Sequence, residues 1–412
     1  MSTNNLYRGL FELLTLPHGD AAAEMLLTTG RVARRELLVV ARQEGCLPEL
    51  YTRWAAQSLL SPTESNEHEQ FALRRAAVDD VLRALPAGSL LGGSDVARSA
   101  SSAIEVLLPD FAAIGPLHEA LGRLEYRLGD AGEWRVPPGG PMHRGLAAFS
   151  YAPTFGSGLS VDVQVGGAPI DARRHLPFAD LAGEAVRMDG LACRALAPTR
   201  QLLHRIAAFG ARSAPVTVRE IAGLHVLLKG SAQRVDTTWL QVKIEQLDAW
   251  AGLRQLRDAI VAKRLGSLLG WGAFGRLVDA SAAHAESTAA PRAGAPRVAS
   301  FIRGAFELAR SPRQDDIAAK IARAPWLVSQ VLAAGYRVRG VPVSTKAFDA
   351  PRFMRVDGAL YLATGAGLIL LSLVDLDDVA RDALGERVRT GSRPVVLARW
   401  SPAQAARRGA KG

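Results

Sequence analysis

Three short stretches carry side chains whose types and spacing can do chemistry. LLGGSD, Leu90 to Asp95, ends an apolar run in Gly92, Gly93 and Ser94. AIEVLLPD, Ala103 to Asp110, is a second apolar run and holds one carboxylate within it, Glu105. VDVQV, Val161 to Val165, alternates as a strand does: the three valines share one face, Asp162 and Gln164 the other. Such parts suit work on a nucleoside triphosphate. A glycine-serine turn lets backbone N–H groups approach phosphate oxygens. Strand carboxylates hold divalent metal between themselves and the phosphates, and a pair spaced two apart points both groups to one face. In this chain the first place of that pair is Ala103 and the second is Glu105.

Each of these features also has a plainer reading. Glu105 and Asp162 read equally as solvated residues on a strand face, and Gly92 to Ser94 as an ordinary strand-ending turn. His204 lies within an apolar helical stretch and reads as a packed or capping histidine. Lys229 precedes a helix-ending Gly230, where a cation suits the helix dipole. His118, His143, His175 and His225 show no metal-ligand spacing. The chain has no lysine-bearing phosphate loop, G-x-S-x-G elbow, H-E-x-x-H helix or dinucleotide fingerprint.

The elements that must position these groups follow from periodicity. Residues 1–87 read as a helical region with a polar break over Ser61 to Gln70. Residues 88–170 read as an α/β core, with strands at SLLGG, IEVLL and LSVDVQV and a helix over Phe111 to Asp130. The Gly- and Pro-rich stretch before Gly158 reads as hairpin or loop. Residues 171–285 read as a helical domain, including PTRQLLHRIAAFGA with its apolar face at Leu202, Leu203, Ile206 and Phe209. A small-residue linker spans 286–298, and 299–412 form a C-terminal module with two helical stretches, a strand-rich segment from about Tyr336 to Val374 and a basic tail. The expected fold class is α+β, a small mixed sheet embedded in a largely helical protein.

Composition bounds the rest. With 412 residues, 48% of them hydrophobic, the chain can bury more than one core. A formal charge of +10 admits an anionic partner such as a nucleotide, nucleic acid or acidic protein. The basic residues are spread along the chain, though, and the excess of Arg and Ala has the look of genome composition. Cys46 and Cys193 form no metal or disulfide pattern and read as buried thiols. The start of the sequence has no secretion-signal pattern, and Gly358 to Val374 reads as strands and a turn, shorter than the roughly 20 residues of a membrane span. A cytoplasmic protein that does not enter membranes is the expectation.

The order of these blocks resembles an uncharacterised nucleotidyltransferase family of the DNA polymerase beta superfamily, found in bacterial genomes. The similarity covers roughly Leu37 to Arg264. LPELYTRW resembles the family's early helix, LLGGSDVA its glycine turn, AIEVLLPD its Asp-x-Asp strand, and VDVQV the strand of its third Asp. MDGLACRALAPTRQLLHRIAAFG and VREIAGLHVLLKG resemble its later helices. The resemblance implies transfer of a nucleoside monophosphate from an NTP to an acceptor that the sequence does not specify. Mg²⁺ would be held by Glu105 and Asp162, and phosphates by Gly92, Gly93 and Ser94. The departures are as informative. Ala103 stands where the first metal carboxylate belongs, Glu105 replaces an Asp, Gly92 replaces a frequent lysine, and Gln164 replaces a common His. They imply a fold kept while catalysis is weakened or lost, a pseudoenzyme. The alternative is a non-catalytic binding or scaffold protein on the same fold.

Overall fold

The computed structural model describes residues 3–15, 31–92, 103–129, 132–135, 146–154, 159–170, 175–230, 235–284, 328, 338–344, 346–349, 351–356, 359–372 and 395–396. Gly93 and Ser94 lie outside the described residues. So do the linker, the basic tail and, apart from Val328, the helical stretches expected over 301–310 and 318–335.

Among the described residues, four helices come first: α1 (Thr3–Thr15), α2 (Arg31–Gln43), α3 (Leu47–Ala56) and α4 (Pro62–Ala84). The polar break expected over Ser61 to Gln70 is instead the first part of α4. Ser61 caps that helix: its Oγ accepts from the Glu64 N–H at 3.4 Å, while the Glu64 carboxylate accepts from the Ser61 N–H at 2.7 Å. Pro62 fills the first helical position, where a missing N–H costs nothing. Composition made this stretch look like a loop, whereas its S-P-T-E order is a helix start.

The central part holds β1 (Leu90–Leu91), β2 (Ile104–Leu108), α5 (Ile114–Gly122), β3 (Tyr126–Leu128), β4 (Gly132–Arg135), β5 (Leu146–Pro153) and β6 (Val161–Val165). The helix expected over Phe111 to Asp130 is shorter than that. It begins as a 3₁₀ turn at Phe111–Ala113 capped by Asp110, and the chain then turns at Glu125 and pairs Tyr126–Leu128 with β5. β4 and β5 pair antiparallel, and the Gly- and Pro-rich residues 136–145 between them lie outside the described residues. Next come β7 (Gly167–Pro169), β8 (His175–Pro177), α6 (Phe178–Ala182), β9 (Val186–Arg187) and β10 (Arg194–Ala195). Helices α7 (Pro198–Ala211), α8 (Val218–Gly230), α9 (Thr237–Leu247), α10 (Trp250–Ala262), α11 (Gly266–Leu269) and α12 (Gly272–Ala280) follow. The last strands are β11 (Val338–Ser344), β12 (Arg352–Val356), β13 (Ala359–Thr364), β14 (Gly367–Ser372) and β15 (Val395–Val396).

One mixed sheet of thirteen strands runs β15-β12-β13-β14-β11-β4-β5-β6-β2-β1-β10-β9, with β3 beside β5. It is larger than the small sheet expected, because β11 pairs antiparallel with β4 and carries the C-terminal strands onto the same ladder. Gly340 makes that join possible, since a Cβ there would lie 1.8 Å from Trp134 Nε1. Only two described strand pairs are parallel, β1 with β10 and β2 with β6.

Strand alternation divides the core. Ile104, Val106, Leu108, Val161, Val163 and Val165 pack toward α4 and α5, against Val78, Val81, Leu117 and Leu121. On the opposite face, Leu90 and Leu107 join the core of the helical part, with Leu202, Leu203 and Ile206 of α7. Both cysteines are buried and free, as the sequence suggested. No helix among the described residues is long and apolar enough to cross a membrane, and the apolar run from Gly358 contributes β13, a turn and β14.

Candidate functional site

The site is built where β1 ends and β2 begins. Leu91 pairs with Val106, and one step further the Gly92 N–H donates to the Glu105 carbonyl oxygen at 3.0 Å. β2 then runs parallel to β6, with Glu105 in register with Asp162. Hydrogen-bonded strands lie about 4.8 Å apart, so the two residues are immediate neighbours. Because the flanking valines and isoleucine go to the α4–α5 core, both carboxylates emerge on the other face, the one that α7 covers. Ala103 precedes β2 on that same face and offers no ligand atom.

Glu105 is half-buried and Asp162 is exposed. The Asp162 carboxyl is pushed above the ordinary 3.8, first by desolvation among the surrounding strands and then by the Glu105 charge. The residue keeps contact with water, and solvent screening keeps the energetic weight of that shift small.

α7 adds a group that reads in the sequence as a packed or capping histidine. His204 is fully buried. Its Nε2 lies 3.4 Å from Gln164 Oε1, and its Nδ1 lies 4.0 Å from Glu105 Oε2. Nδ1 has no hydrogen-bond partner. Burial, reinforced by nearby Arg205, holds the imidazole below its ordinary 6.5 against the opposing pull of Glu105, so the ring is neutral at neutral pH. The signal in the sequence was a lone imidazole amid Leu202, Leu203 and Ile206. What it faces depends on a tertiary contact with β6.

Gly92 is required here for space. A Cβ at this position would lie 2.7 Å from Glu105 Oε2, 2.9 Å from Glu105 Cβ and 3.1 Å from His204 Cε1. The lysine that the resemblance would place here cannot coexist with Glu105 and His204 as they stand. The structure thus brings Gly92, Glu105, Asp162, Gln164 and His204 together.

The donor set does not fit an all-carboxylate Mg²⁺ site. Mg²⁺ requires oxygen ligands in near-octahedral order. This face supplies two carboxylates, and Ala103 supplies none. Among the described residues, no three His, Cys, Asp or Glu side chains are grouped to hold a metal ion as they stand.

Compared with protein-family models, curated proteins and solved structures, the chain matches none.

Proposed function

We propose that this chain is a nucleotidyltransferase-like protein that binds a nucleoside triphosphate at the end of β1, over the carboxylates of β2 and β6, with its catalysis weakened or lost. The observation that carries this reading is the register of Glu105 with Asp162 on adjacent parallel strands, on one face, beside a glycine that ends β1. The order of blocks along the sequence adds to it. Glu105 and Asp162 would face the ligand, and the turn that opens at Gly92 would lie against its phosphates. The missing carboxylate at Ala103 is the reason to expect weak or absent transfer. Incubation with labelled NTPs, Mg²⁺ or Mn²⁺ and a cell extract tests it. Label transfer that Asp162→Asn abolishes identifies an enzyme acting through this face. NTP binding without transfer identifies the pseudoenzyme.

A second reading is a non-catalytic scaffold that binds no nucleotide. Ala103 and the closely filled space between Gly92 and His204 favour it. Absence of heat in calorimetric titration with every common NTP, with and without divalent cation, would select this reading.

A further inference from the structure

The polar half of α4 lines a cleft of about 360 Å³, within the roughly 300–1,000 Å³ that small-molecule sites occupy. Glu67, Phe71 and Arg74 recur at helical spacing on one face of α4 and form one part of the lining. Arg42, with Leu47 and Pro48 from the start of α3, forms another part. Leu47 and Pro48 are buried, so the cleft has an apolar floor. None of its lining residues belongs to the strand face of Glu105 and Asp162. The charges in the lining are unequally partnered. Arg42 Nη2 donates to both Glu67 carboxylate oxygens, at 2.9 and 3.1 Å, and the Tyr51 hydroxyl donates to one of them at 2.6 Å. Arg74 has no such acceptor. Its Nε is out of water without a hydrogen-bond partner, and its guanidinium lies 5.7 Å from the Phe71 ring centroid. A buried cationic N–H without an acceptor is costly and calls for one.

We propose that this cleft binds a small organic oxyanion, a single carboxylate or phosphate group carried on an apolar body, with Arg74 as the residue that takes the charged head. A guanidinium presents a planar fork of N–H groups that matches two oxygens of either head group. Cation–π attraction to Phe71 keeps that fork at the wall of the cleft. Arg42 is 66% exposed and spends only Nη2 on Glu67, so its remaining N–H groups add to the positive field. Glu67 is occupied by Arg42 and Tyr51. Two arginines against one glutamate leave a small positive surplus in the lining, which suits one oxyanion head in preference to a polyphosphate. Leu47, Pro48 and Phe71 offer the apolar body a surface to cover, which a bare inorganic ion would leave wet.

Calorimetric titration of the full chain with benzoate and with phenyl phosphate tests it, with benzyl alcohol as the uncharged control. The expected result is one saturable site with a Kd of about 1 mM or tighter for at least one of the two anions, and the preferred probe tells carboxylate from phosphate. Affinity falls at least about tenfold in Arg74→Gln and weakens as salt is raised. Gln70 is exposed and also lines the cleft. Gln70→Glu sets a second carboxylate beside the anion and should weaken binding as well. That variant changes an exposed helix position, so it decides the matter even where Arg74→Gln fails to fold. No saturable binding of either anion, equal binding of benzyl alcohol, or an affinity that neither variant changes would overturn the proposal. None of these outcomes bears on nucleotide binding over β2 and β6, which shares no residue with the cleft.

Discussion

Glu105 and Asp162 stand side by side across the parallel ladder of β2 and β6, two like charges on the face that His204 closes from behind. Like charges on adjacent strands destabilise a sheet. Their pairing here is a local cost in the fold, and the consequences can be measured.

Asp162→Asn should raise stability at neutral pH. The folded-state pKa of Asp162 lies above its ordinary 3.8 because of desolvation and then Glu105. Between 3.8 and the raised value, the folded chain keeps a proton that the unfolded chain has lost, so stability falls as pH rises through that window. Below pH 3.8 both states are protonated and the penalty vanishes. Thermal unfolding should therefore favour the variant at neutral pH, by a small margin because solvent screens the group, and the advantage should shrink below that pH. A variant less stable at neutral pH contradicts this relationship.

Gly92→Ala should destabilise the chain and disturb the site together. The added Cβ would meet Glu105 Oε2 at 2.7 Å and His204 Cε1 at 3.1 Å. The Glu105 side chain can swing away, but its Cβ and the packed imidazole cannot do so cheaply. Overpacking of this kind costs about 1–3 kcal/mol, readable as a lower urea midpoint with an unchanged m-value. A neutral substitution would mean that the space beside Glu105 is wider than these distances imply.

Lys263→Met should be the most damaging of the three. Lys263 Nζ donates to Glu44 Oε1, and Glu44 Oε2 accepts from the Val218 N–H at 2.6 Å. The two side chains are only 10% and 9% exposed, so loss of the cation strands a buried carboxylate. Removing one partner of such a pair costs about 3–5 kcal/mol. Adding Glu44→Gln should restore part of that loss. Urea unfolding of both variants checks the order, and a single variant within about 1 kcal/mol of the parent would show that the pair does not tie α2, α8 and α10 together.

Much of this was legible in the sequence because it is local. The alternation of VDVQV gave the faces of Asp162 and Gln164, and IEVLL gave the strand of Glu105. The C-terminal strands were readable from apolar runs and their turn. The polar composition of Ser61 to Gln70 hides a helix start whose signal is the order Ser-Pro-x-Glu. Three features were out of reach for a physical reason. Parallel pairing of Glu105 with Asp162 joins distant segments, and nothing local sets its register. The join of β11 to β4 adds a chain end to a sheet whose edge the sequence does not mark. His204 meets Glu105 and Gln164 only through the docking of α7 on the sheet.

The central claim is that the face bearing Glu105 and Asp162 binds a nucleoside triphosphate. Calorimetric titration of each common NTP, with and without Mn²⁺, tests it most directly in the parent chain and in the double variant Glu105→Gln, Asp162→Asn. The account predicts saturable binding of at least one NTP to the parent at a single site, with affinity changed at least about tenfold in the double variant, a difference of about 1.4 kcal/mol. No binding of any NTP under either condition, or binding that the double variant leaves unchanged, would contradict it.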